Sequence, residues 1–112
     1  MKKVFISQPM RYLTHEEIVV NRERAVAYLE SQGYEVLNPE LHEPKVPNDC
    51  PNRALHCLGS SLQQMSYADV AYFCNGWREA RGCAVEHFCA KSYGLETLYE
   101  DGKVIYEEVP NE

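Results

Sequence analysis

The sequence predicts an α/β fold, a three-layer α/β/α arrangement with a parallel sheet between helices. Three observations carry this prediction. Short runs rich in β-branched and aromatic residues recur at 2–7, 34–37, 70–74 and 95–99. Segments with apolar residues near helical spacing lie between them, at 14–32, 52–67 and 83–93. Glycine or proline marks most junctions: Pro9, Gly33, Pro39, Gly76 and Gly94. Strand and helix alternating in this way give a parallel sheet, because each crossover helix returns the chain to the end where the next strand must start.

Each element has its own local reason. The first strand ends at Gln8-Pro9, since proline lacks the amide hydrogen that a central ladder needs. Thr14-His15-Glu16-Glu17 is a capping-box pattern, and the helix it opens carries Ile18, Val19, Ala25, Val26 and Leu29 to about Gln32 before Gly33 stops it. The second strand stops at Asn38-Pro39. A long connection containing Pro39, Pro44, Pro47 and Pro51 follows, read as a lid or interface element or as a mobile loop. Helix two carries Leu55, Leu58, Leu62 and Met65, a stripe read as core rather than as a ligand surface. The third strand follows Ala68-Asp69 and ends at Asn75-Gly76, and a polar loop over 77–82 leads to a third helix from Cys83, closed by Gly94. Asp101-Gly102 between two β-rich runs predicts a hairpin that lays a fifth, antiparallel strand on the sheet edge.

At 112 residues the chain is one domain, short for an enclosed site, so a homodimer or higher homo-oligomer that completes it is expected. A formal charge of -6, with the arginines spread singly, argues against a face that grips a nucleic-acid polymer. One phosphate at Arg11 or Arg81 is compatible with it. No apolar run approaches membrane-spanning length and the opening residues lead straight into a strand, so a cytoplasmic chain with no membrane partner is expected. Five cysteines without paired spacing read as reduced thiols, with Cys74 and Cys89 as small core residues. His42, Cys50, His56 and Cys57 lack ligand spacing, so neither a metal nor another cofactor is expected.

The chemistry concentrates in 68–94. Glu86 lies four residues past Gly82, roughly 6 Å along the helix axis, among Ala84, Val85, Phe88, Cys89 and Ala90. Unpaired N–H groups at a helix amino end favour an ionised carboxylate, which makes Glu86 a candidate nucleophile. Position alone favours the plainer reading, a surface glutamate in the first turn. The company it keeps shifts that balance. Phe5-Ile6-Ser7-Gln8-Pro9-Met10-Arg11, Ala68-Asp69-Val70, and Gly82-Cys83-Ala84-Val85-Glu86 followed by Ala90 together resemble the nucleoside 2-deoxyribosyltransferase superfamily, over about residues 2–98. Small phage and prophage proteins of that superfamily are similar in size, and it includes the 2'-deoxynucleoside 5'-monophosphate N-glycosidases.

The resemblance implies a flavodoxin-like sheet of order 2-1-3-4 with the fifth strand outermost. Such sheets bind ligands beyond the carboxyl ends of their strands where the order reverses, and segments 7–11, 38–39 and 75–86 meet there. It implies cleavage or transfer at the N-glycosidic bond of a (deoxy)nucleoside or its monophosphate, a small-molecule partner. Glu86 stands where the family's glutamate attacks the sugar to form a covalent intermediate. Asp69 corresponds to an aspartate near the base, placed to protonate or orient the leaving ring; a strand-start residue satisfying backbone N–H groups is the equal alternative. Arg11 corresponds, allowing a one-residue shift, to an arginine of the phosphate loop, or is a solvated surface residue. Ser7 and Gln8 are candidate donors to phosphate or sugar, with Met10 and Asn38 in the same segments, and Arg81 and Gly82 add N–H donors at the helix start. Tyr12, Tyr72 and above all Trp77 offer flat faces for a base. Trp77 serves equally as a core edge or a dimer contact.

Two departures make base exchange less secure than hydrolysis. Ala80 stands where the transferases usually carry an aspartate, with Glu79 adjacent, and only Asn111 matches by position the asparagine that contacts the sugar 5'-hydroxyl. The alternative is a non-catalytic nucleotide-binding or sensor module in the same crevice. A protein-binding role through the proline-rich loop is a third reading.

Overall fold

The structure, a computed structural model, describes residues 1–41 and 43–102. Its elements run β1 (Lys3–Ser7), α1 (His15–Ser31), β2 (Glu35–Val36), α2 (Arg53–Met65), β3 (Val70–Phe73), α3 (Arg81–Ser92) and β4 (Glu96–Tyr99). The strands form one parallel sheet in the order β2-β1-β3-β4, as in flavodoxin-like folds. The antiparallel fifth strand expected after Gly102, and Asn111, lie outside the described residues.

Side chains alternate across a strand, and that alternation sorts the core into two halves. Val4, Ile6, Val70, Tyr72 and Cys74 pack with Ala25 and Leu29 of α1 on one face. Phe5, Ala71 and Phe73 pack with Met65 of α2, Ala90 of α3 and Tyr99 on the other. The three layers follow from crossover handedness: α1 carries the chain outward to β2, and the return past β1 to β3 must cross the opposite face. Ser7, two residues beyond Phe5, belongs by the same parity to the α2/α3 face. That parity decides which helix its hydroxyl meets.

The helix ends explain themselves locally. At α1 the Thr14 hydroxyl accepts from the Glu17 amide at 3.1 Å and the Glu17 carboxylate accepts from the Thr14 amide at 3.0 Å, a complete capping box. The Thr14 amide, and after it the Thr14 hydroxyl, hold the Glu17 carboxyl below its ordinary pKa, so the stabilisation is present at neutral pH and is lost as pH falls through that lowered value. Thr14→Ala is expected to cost about 1 kcal/mol at neutral pH, seen as a drop in melting temperature of roughly 4 °C or more. Past the far ends of α1 and α3, Gly33 and Gly94 take φ of 88° and 75°, values that favour glycine.

Two elements differ from expectation. Helix α3 starts at Arg81 rather than Cys83, with Ala80 extended at its cap and no side chain bonded there. The leucine stripe of α2 is core only in its second half: Met65 is buried and Leu62 packs on the core, whereas Leu58 lines a cavity and Leu55 is 60% exposed. The amino-terminal half of α2 stands clear of the sheet, and the gap is the site described next.

Candidate active site

From the neighbouring strands β1 and β3 the chain departs to opposite faces, α1 to one and α3 to the other, which opens a crevice beyond their carboxyl ends. A pocket of about 650 Å³ occupies that crevice, a usual size for a small-molecule site. Its walls are the 8–12 loop, the start of α2 through Ala54, Leu58 and Ser61, and the 79–83 stretch entering α3. Glu86 lies among its lining residues.

Glu86 is in the second turn of α3 and is 7% exposed. The Ser7 hydroxyl, 1% exposed, donates to its Oε1 at 2.6 Å, and Ser61 gives a second hydroxyl contact from α2. Burial raises the carboxyl above its ordinary value of 4.5, and the two hydroxyls pull it partly back. None of the ion pairs among the described residues includes Glu86. A carboxylate so placed is poorly solvated and lacks a cation, two conditions that leave its oxygens reactive. The neighbouring Cys83 thiol is pushed up to about 11 by burial, so it is protonated at neutral pH and does not compete as a nucleophile.

The mouth of the pocket favours anions. Arg11 and Arg81 line it, with Glu79 as an opposing charge. The Ala84 amide bonds the Ala80 carbonyl at 2.9 Å as the first helical bond, so the amides of Arg81, Gly82 and Cys83 precede the ladder and no side chain caps them. A Cβ on Gly82 would meet nothing within 4 Å, so the space beside Gly82 in this first turn is open. Tyr12, with the Arg11 guanidinium 4.9 Å over its ring, and Asn38 are the non-glycine residues with left-handed φ among those described, at 68° and 49°. Both sit in loops that wall cavities at this crevice, where backbone strain is commonly retained for function.

A second cavity of about 100 Å³ adjoins the first and shares Gln8, Met10, Ser61 and Glu86 with it. Asn38 lines this smaller space: its amide donates to Gln64 at 2.7 Å and its carbonyl accepts from Arg22 at 2.6 Å. Gln8 is buried and bonded at both ends of its amide, donating to the Ile18 carbonyl at 2.6 Å and accepting from Arg22 at 3.3 Å. It therefore braces the site more than it offers a free donor. Leu41 and Pro44 of the proline-rich connection also line this cavity, so that segment walls the crevice.

The structure thus brings Ser7, Gln8, Met10, Arg11, Arg81, Gly82 and Glu86 together, with Asn38 on the adjoining cavity. Asp69 is elsewhere. It precedes β3, its amide bonds the Lys3 carbonyl at 2.8 Å and its carboxylate accepts from the Lys3 amide at 2.9 Å. That is the amino end of the sheet, ~13 Å of strand away from Ser7. Trp77 packs on the core instead of lining the Glu86 pocket: His87 stacks on it at 4.0 Å, Phe73 lies 5.5 Å away and Arg78 sits over it at 4.8 Å. Tyr72 is buried on the α1 face.

Sequence reasoning missed Ser61 and Arg22. The signal for Arg22 is a charge inside an apolar stripe, since Val19, Arg22, Val26 and Leu29 share one face of α1. Ser61 follows Leu58 by three and precedes Met65 by four, which puts a hydroxyl on the inward side of α2.

Comparison with curated proteins and with solved structures finds no match. Residues 2–99 match the family model described as Domain of unknown function (DUF4406), and the chain belongs to that family.

Proposed function

We propose that the protein cleaves the N-glycosidic bond of a (deoxy)nucleoside or its monophosphate, with Glu86 as nucleophile. The observation that carries this reading is a buried carboxylate, held by the Ser7 hydroxyl at 2.6 Å, in a pocket at the reversal point of the sheet. The likeness to the deoxyribosyltransferase superfamily supports it independently. An anomeric carbon beside Glu86 develops oxocarbenium character as the base departs, and an unpaired carboxylate stabilises that charge before bonding to it. Arg11, Arg81 and the uncapped amides of α3 suit a 5'-phosphate at the mouth. Water then releases the sugar. Hydrolysis is favoured over transfer because Ala80 occupies the place of the transferases' aspartate.

The test is incubation with a panel of ribo- and deoxyribonucleosides and their monophosphates, with free base measured by chromatography. Release by the wild type and none by Glu86→Gln is expected, and equal release by both defeats the assignment. The nucleophile must be ionised, so kcat/KM should fall on the acid side at a pH above the ordinary glutamate range. Ser7→Ala removes a hydrogen bond to the charged form. Its acid limb is expected to move to still higher pH, with kcat down about tenfold.

A second reading, a nucleotide-binding module with little turnover, draws on the distance of Asp69, which leaves the expected acid out of the crevice. Calorimetry showing tight nucleotide binding, with no base released on long incubation, would select it.

A further inference from the structure

Arg22 reaches from α1 to the rim where β1 and β2 end. One guanidinium nitrogen donates to the Gln8 side chain at 3.3 Å and another to the Asn38 carbonyl at 2.6 Å, while Nε is buried without an acceptor. Both partners are neutral, and none of the ion pairs among the described residues includes Arg22. Burial lowers its pKa, yet a guanidinium stays charged at any ordinary pH. The 100 Å³ cavity therefore has Glu86 and Arg22 among its lining residues, unlike charges that do not neutralise each other, with Glu40 as the other charged side chain there and exposed. Such a cavity suits a ligand that turns an electron-poor carbon to Glu86 and an electron-rich oxygen to Arg22. Its volume equals the liquid share of about three waters, room for one small ring.

We propose that Arg22 is the leaving-group electrophile of the reaction assigned to Glu86, and that the substrates are pyrimidine nucleosides or nucleotides, whose C2 carbonyl adjoins the glycosidic nitrogen. The inference rests on the Glu86 reading and adds what that reading lacks once Asp69 lies at the far end of the sheet. The C1'–N1 bond breaks with its electron pair passing to N1 and, by conjugation, to the C2 oxygen facing Arg22. A Glu86 oxygen bonds to C1'. Water then attacks C1', its oxygen stays on the sugar, the carboxylate is released and the proton goes to the base anion. Charge on the departing oxygen meets a fixed, partly buried cation, positioned before the reaction where that charge develops.

The experiment compares 2'-deoxyuridine, 5-fluoro-2'-deoxyuridine and 2'-deoxyadenosine, each also as the 5'-monophosphate, with wild type, Arg22→Met, Arg22→Lys and Glu86→Gln, all checked by thermal melting. Fluorine stabilises the uracil anion, so that substrate needs less help to leave. The wild type is expected to prefer deoxyuridine over deoxyadenosine by tenfold or more. Arg22→Met is expected to lower kcat on deoxyuridine about 100-fold and on the fluoro analogue distinctly less, while Arg22→Lys loses less on both with the same ordering. If Arg22→Met does not fold, the Arg22→Lys ordering decides. Equal losses on the two uracil substrates, no loss, or a wild type that prefers deoxyadenosine overturns the role of Arg22 and leaves Glu86 standing, provided Glu86→Gln is still inactive. No release from any substrate by the wild type overturns both.

Discussion

Glu86→Gln is expected to reduce base release by ~10³-fold or more, the scale of losing a covalent nucleophile, and at neutral pH to melt higher than the wild type. Both effects follow from the same burial. Because the native carboxyl pKa lies above its unfolded value, ionisation opposes folding: the carboxyl's contribution is intact below the unfolded pKa and is lost as pH rises through the raised native one. Glutamine cannot ionise and still accepts from Ser7, so it escapes that loss. The gap in melting temperature should close as pH is lowered through the raised value towards the ordinary glutamate range. Activity assays and melting curves across pH check both halves. A variant that is inactive and melts lower at neutral pH would assign Glu86 to packing instead.

Phe73→Ala is the second large effect, on stability. Phe73 is fully buried at the end of β3, edge-on to His87 at 4.9 Å and against Tyr99 at 5.9 Å and Trp77 at 5.5 Å. Truncation removes the ring and leaves a void that this aromatic group cannot easily close, at a cost of about 3–5 kcal/mol. Set against the ~5–15 kcal/mol that holds a domain together, this is a large fraction, and the melting temperature should fall by roughly 12 °C or more. The consequence reaches the site as well. Trp77 leads the turn whose Glu79 and Ala80 wall the large pocket, so a loosened cluster should raise KM in the surviving folded fraction. Denaturant melts, with kinetics below the transition, test this. An unchanged midpoint would mean that Phe73 does not anchor the cluster.

The elements were legible because their patterns differ: a short unbroken run of β-branched and aromatic residues in Val4-Phe5-Ile6, and a three-to-four spacing along Ala25, Val26 and Leu29. Thr14 is visible from its chemistry, since the cap needs a hydroxyl and an acid three residues later. The start of α3 is not, because Ala80 caps with nothing and leaves no chemical mark. The two-sided burial of β1 and β3 is written in their unbroken apolar runs. In the site, Glu86, Ser7 and the pocket loops follow from strand order. Asp69 shows how a short motif and a direction can disagree, since a residue just before a parallel strand sits at the end away from the ligand crevice. Ser61 and Arg22 depend on how far α2 and α1 lean over the strand ends, which no local pattern states.

At its β2 border the sheet exposes a rim of only Glu35 and Val36, followed soon by the turn at Asn38 and Pro39. A foreign chain finds almost no ladder to extend there, because the next residues twist away and proline donates no amide hydrogen. That side of the molecule is thereby guarded against edge-on stacking into fibrils.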